Sequence, residues 1–172
     1  MTVFLSLPLE QERAAALVDG LDLEPIAYKL MHPHPGETGM SLAEADQRVA
    51  AYRGFLKLCL WYPAESVVPS SEVDEVWHAH ILDTAKYAAD CQSVFGRLVH
   101  HFPYFGLRGP DDEAAWRAAG ERTRDLFHWH FGIAIGGTSE AACEDDGPGG
   151  DSCEHRDLAT ARQRPRPDRA AA

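Results

Sequence analysis

Long apolar runs are missing from this sequence. No stretch approaches the roughly 20 consecutive apolar residues that cross a bilayer, so no membrane span is expected. Basic side chains are scarce too: 16 Lys and Arg stand against 27 Asp and Glu, a formal net charge of −11. Nucleic-acid affinity comes largely from Lys and Arg neutralising phosphates, so no nucleic-acid partner is expected. The same charge disfavours an anionic membrane surface. The N-terminal stretch MTVFLSLPLEQERAAA lacks the basic segment and long apolar core of a secretory leader. The expected compartment is therefore cytoplasmic, where structural disulfides are rare. The few cysteines, Cys59, Cys91, Cys143 and Cys153, are accordingly expected as thiols or ligands. Phosphate loops, dinucleotide fingerprints and nucleophile elbows are also absent, which disfavours nucleotide enzymes and hydrolases of those types.

What is present suffices for a packed core. The chain has 172 residues, of which 45% are hydrophobic; one domain of about 150 residues plus a tail fits that length. Pro8 to Val18 reads as a short helix closed by Gly20, and residues 21–31 as a second, stopped by His32-Pro33-His34-Pro35-Gly36. Ser41 and Glu44 form a capping-box pattern. The helix it opens carries Leu42, Ala45, Val49, Tyr52, Leu56, Cys59 and Leu60 on one face, up to Trp61. Ser71 to Cys91 reads as a central helix, with Ser71 and Asp74 resembling another capping box. HHFPYFG, from His100 to Gly106, reads as a helix end running into a loop. Gly109-Pro110-Asp111-Asp112-Glu113 starts a last helix through Trp116, Ala119, Thr123, Leu126 and Phe127 to His130, with Gly132 as its stop.

After Ile135 the large apolar side chains give out, and Gly, Asp, Glu and Ser give way to arginines and prolines. Such a segment cannot bury enough surface to offset its ordering entropy. The expected fold is all-α: a compact bundle of about five helices over residues 1–135, with a disordered tail over 136–172. Cys143 and Cys153 in that tail match no compact zinc spacing and read as part of a spacer.

The chemistry concentrates in SEVDEVWHAHILDTAKYAADC. On a regular helix His78 and His80 point about 160° apart, so WHAH is no two-histidine clamp. Asp74 and His78 are neighbours, four residues apart. On another side lie Val73, Val76, His80, Tyr87, Cys91 and Val94, with Asp83, Thr84 and Asp90 at the edges. A His, a carboxylate, a phenol and a thiol on a buried face are costly unless hydrogen-bonded or ligated. Each of these residues alone has an ordinary structural explanation, as a cap or core residue; the set together points to a site. A structural zinc ion takes four ligands and a catalytic one three plus water, so the helix needs partners from elsewhere. His100 and His101 come first, ahead of His128 and His130.

These residues also carry a resemblance. Asp74, Trp77, His78, His80, Tyr87, Asp90, Cys91 and Gly96, with His100 or His101, resemble the signature of the glycine-rich domain-containing-protein-like family, over roughly Tyr52 to Gly106. Members often end in a glycine- and cysteine-rich tail, and this tail is thinner in both. The resemblance implies a fold boundary and a choice of residues, not a reaction.

Two functions follow. In the first, the protein binds a divalent transition metal (Zn, Fe or Cu) through ligands drawn from His80, Asp83, Cys91, His100 and His101. Asp74, His78 and Tyr87 are then its acid–base groups, and whether the site is catalytic stays open. In the second, Trp77, His78 and the HHFPYFG surface bind a protein or peptide partner without catalysis. Metal-free acid–base chemistry by His80, Asp83 and Tyr87 is a third, weaker option.

Overall fold

In a computed structural model, residues 9–36, 38–136 and 142–144 are described. They fold as an all-α protein. The helices are α1 (Leu9–Asp19), α2 (Glu24–Met31), α3 (Leu42–Trp61), α4 (Ser71–Leu82), α5 (Thr84–Phe95) and α6 (Pro110–Phe131). Two three-residue strands, β1 (His100–Phe102) and β2 (Ala142–Glu144), pair antiparallel. Among the described residues no helix is long and apolar enough to cross a membrane.

Local signals set most helix ends. The Ser41 Oγ accepts from the Glu44 backbone N–H at 3.3 Å, and a Glu44 carboxylate oxygen accepts from the Ser41 N–H at 2.9 Å. This is the expected capping box, two otherwise unpaired helix donors satisfied reciprocally. Pro110 enters α6 within its first turn, followed by Asp111, Asp112 and Glu113 at the positive end of the helix dipole. Gly132 ends α6 at φ 65°, a left-handed conformation that a Cβ would penalise.

Helix α3 is the hub. It packs against α1, α2, α4 and α6, and its Tyr52, Phe55 and Leu58 are fully buried. Each such side chain contributes about 1.5–3 kcal/mol relative to an exposed one. Arg53 closes the end of α1 by donating to the carbonyls of Val18, Asp19 and Leu21. The connector before α4 is tied to α6 as well: the Val68 N–H donates to the Thr123 Oγ1 at 3.0 Å.

Three expectations are corrected here. First, the Ser71–Cys91 stretch is two helices and not one, broken at Asp83, whose φ of −85° and ψ of 72° leave the helical region; the expected bundle of about five helices thus shows six among the described residues. Asp83 ends α4 and its side chain accepts from the Lys86 N–H to start α5. The wheel drawn through residues 74–94 therefore stops at Leu82; Tyr87, Cys91 and Val94 form the buried face of α5 on their own account. Second, α4 is capped by Ser70, whose Oγ accepts from the Val73 N–H at 3.3 Å, and not by Ser71. Third, HHF is a strand and not a helix end, because Ala142–Glu144 pairs with it. The remainder of the expected tail, save Gly136, lies outside the described residues.

Candidate metal centre

The one-residue shift of the α4 cap places Asp74 just past the position where a capping acid would act. Its carboxylate meets two imidazoles instead. His101 Nε2–H donates to Asp74 Oδ1 at 3.0 Å. His78 Nδ1 lies 2.8 Å from the Asp74 carbonyl oxygen and 3.3 Å from Asp74 Oδ2. The rings of His78 and His101 meet edge-on, their centroids 4.5 Å apart. Each of the three residues offers one ligand atom, and these atoms all lie within 4.8 Å of one another. Two walls of the cluster are dry and one is wet. The side chains of Asp74 and His101 are 15% and 11% exposed, that of His78 54%. The fully buried Trp77 ring backs His101 at 4.6 Å.

His80 belongs to a different arrangement. It is buried, and both ring nitrogens are engaged: Nε2 with Asp90 Oδ2 at 3.0 Å, Nδ1 with the Tyr52 hydroxyl at 3.0 Å. A carboxylate only accepts, so Nε2 carries the proton and Tyr52 donates to Nδ1. Burial holds the imidazole below its ordinary value of 6.5, although Asp90 pulls the other way. Lys86 Nζ sits 3.0 Å from the same Asp90 oxygen and completes the network at the surface. This chain of contacts joins α3, α4 and α5.

The remaining sequence-expected site residues disperse. Asp83 is an exposed cap, and its expected pairing with His80 is replaced by Asp90. The Tyr87 hydroxyl accepts from Trp77 Nε1 at 2.9 Å and donates to the Val99 carbonyl; its ring meets His80 edge-on at 5.0 Å. Cys91 is buried on the face of α5. His100 stands opposite Glu144 on the other side of β1 from His101. His130 pairs with the Tyr62 hydroxyl at 2.7 Å, and His128 is exposed. Sequence reasoning did not assign Tyr52 a partner. The available signal was its place on an otherwise apolar helix face, where a buried phenol needs one.

An all-α protein with a two-histidine, one-carboxylate cluster between a helix and a short strand is the class that fold and site define. The sequence profile of the UCP032817-like family matches residues 18–120, more than half of the chain, and the chain belongs to that family. This corrects the resemblance to the glycine-rich domain-containing-protein-like family. The match begins well before Tyr52 and runs into α6, and so takes in the hub helix with the site. No curated protein and no solved structure matches. The family description names no activity, and the chemistry rests on the geometry.

Proposed function

We propose that this protein binds a divalent transition metal through Asp74, His78 and His101. The observation that carries the proposal is the convergence of three ligand atoms within 4.8 Å, from two elements brought together only by the fold. Imidazole and carboxylate donors suit Zn, Fe or Cu. Three protein ligands leave a further position for water or another donor, the arrangement of a catalytic rather than a closed structural site. A metal bound there would supply Lewis acidity, for metal-assisted hydrolysis or oxygen chemistry. The chain's own part is to hold the ligands: α4 fixes Asp74 and His78 one turn apart, and Trp77 shields His101. Asp74, His78 and His101 would hold the ion through a carboxylate oxygen and unprotonated imidazole nitrogens, so binding would weaken in acid.

The partner-binding alternative needed Trp77 and the aromatics of HHFPYFG on the surface. Trp77 is fully buried, Phe102 nearly so, and Tyr104 and Phe105 are half-buried. No specific observation favours it.

Metal analysis of the untagged protein tests the proposal, alongside Asp74→Ala, His101→Ala and His80→Ala. Near-stoichiometric metal is expected in the wild type and in any folded His80→Ala, and its loss from the other two. Metal-free wild type that takes up no Zn, Fe or Cu on titration would overturn the proposal.

A further inference from the structure

The hydroxyl of Tyr87 bridges the two elements that carry the cluster. Asp74 and His78 stand on α4 and His101 on β1. Trp77 lies between the first two in sequence, and its ring is 4.6 Å from that of His101. Trp77 Nε1–H donates to the Tyr87 hydroxyl at 2.9 Å, and that hydroxyl donates onward to the carbonyl of Val99, two residues before His101. All three residues are buried, and a buried indole N–H or phenol needs a partner of this kind. One hydroxyl therefore ties α4 to the chain entering β1. Its own place is fixed from α5: one turn on, Asp90 accepts from His80 of α4 at 3.0 Å, and Cys91 and Val94 bury the same helix.

We propose that Tyr87 is a positioning residue of the Asp74–His78–His101 site, whose hydroxyl sets how closely β1 approaches α4 and so how tightly the site holds a metal. The inference rests on the metal-binding reading given above and deepens it. The acid–base role expected for Tyr87 from the sequence becomes that of a strut. Metal–ligand distances hold to within about 0.2 Å, so a small shift of β1 that leaves the fold intact is enough to loosen the site. Without the hydroxyl, the indole N–H and the Val99 carbonyl lose the atom they share, and β1 can draw away from α4.

Zinc affinity of the full-length, metal-free chain, measured by competition with a chromophoric chelator, tests this in Tyr87→Phe beside Tyr52→Phe. Copper or iron takes the place of zinc if the wild type takes up only those. Each variant deletes one buried phenol hydroxyl, but that of Tyr52 serves His80. A residue that only stabilises the fold leaves affinity unchanged while the folded fraction stays near one, and urea midpoints verify that it does. Tyr87→Phe is expected to bind roughly tenfold more weakly than wild type, the lower end for changes behind a ligand. Tyr52→Phe is expected to bind as wild type does. Wild-type affinity in Tyr87→Phe, or an equal loss in Tyr52→Phe, overturns the strut and leaves the three-ligand site standing. A wild type that takes up no Zn, Fe or Cu overturns both. If Tyr87→Phe does not fold, amide hydrogen exchange of the wild type decides. Coupling is reciprocal, so the metal must slow the amides of α5, which supplies no atom of the cluster, more than those of α6. Equal slowing, or none, overturns the strut.

Discussion

His101 Nε2 and Asp74 Oδ1 meet at 3.0 Å although 27 residues separate them along the chain. The contact fastens β1 to α4. Metal-free, it is a charge-assisted hydrogen bond, a class that contributes about 1.5–3 kcal/mol. Asp74→Ala should lower the unfolding free energy of the metal-free protein by an amount of that order. Zinc should then distinguish the two proteins. A ligand at a hundred times its Kd stabilises the native state by about 2.7 kcal/mol, so excess zinc should raise the wild-type melting temperature and leave that of Asp74→Ala unchanged. Equal zinc shifts in the two proteins would remove Asp74 from the site.

Acid should weaken the fold well before the carboxylates titrate. Burial holds the folded His80 below 6.5, and His130 is lowered by burial as well. An unfolded histidine titrates near its ordinary value of about 6.5. Between the two values the unfolded chain binds more protons than the folded one, so stability is full above about pH 6.5 and falls as pH drops towards the folded pKa. Each group contributes a slope of no more than about 1.4 kcal/mol per pH unit. Urea midpoints measured on metal-free protein at about pH 7.5 and 5.5, either side of that value, should therefore fall with acid. The fall should be smaller in His80→Gln. A midpoint that is constant or rises towards pH 5.5 would contradict the assignment of a neutral, buried His80.

The cap of α4 separates two neighbouring serines. Ser70 is buried and its Oγ accepts from the Val73 N–H, whereas Ser71 is exposed in the first turn. Loss of a serine cap costs about 0.5–2 kcal/mol, and an exposed first-turn substitution stays within about 0.5 kcal/mol. Ser70→Ala should thus destabilise the protein while Ser71→Ala does not. The reverse order in chemical denaturation would return the cap to Ser71, and with it would restore Asp74 to the capping position.

Signals confined to one turn of chain were legible in the sequence. The Ser41–Glu44 box, the Pro110 entry and the Gly132 stop each depend on residues within four positions, and all stand where expected. The Asp74–His78 proximity was legible for the same reason. The break at Asp83 was not, since Ile81-Leu82-Asp83-Thr84 contains neither Gly nor Pro. There the Asp side chain competes for backbone N–H groups, and α5 folds so that Asp90 reaches His80. The choice of His101 over His100 was not legible either. It depends on which face of a three-residue strand meets α4, and the pairing partner of that strand lies about forty positions further on, within a segment whose composition argued against order. The Tyr52–His80 bond spans 28 residues and has no local signature.

Helix α3 contains Gly54 in its interior, where glycine is ordinarily worse than alanine by about 0.5–1 kcal/mol. Replacement by alanine should nevertheless destabilise the fold. A Cβ at Gly54 would stand 2.9 Å from Phe127 Cε1 and 3.2 Å from Phe131 Cε2. Phe127 is fully buried and cannot swing away into solvent, so α6 would have to shift off α3. Overpacking of this kind costs about 1–3 kcal/mol, which exceeds the helical gain. Gly54→Ala should therefore lower the urea midpoint, and combining it with Phe127→Leu should cost less than the two single changes added together, because the smaller side chain gives room to the new methyl. Additive losses, or a Gly54→Ala protein more stable than wild type, would show that α3 and α6 are not in such close contact at this point.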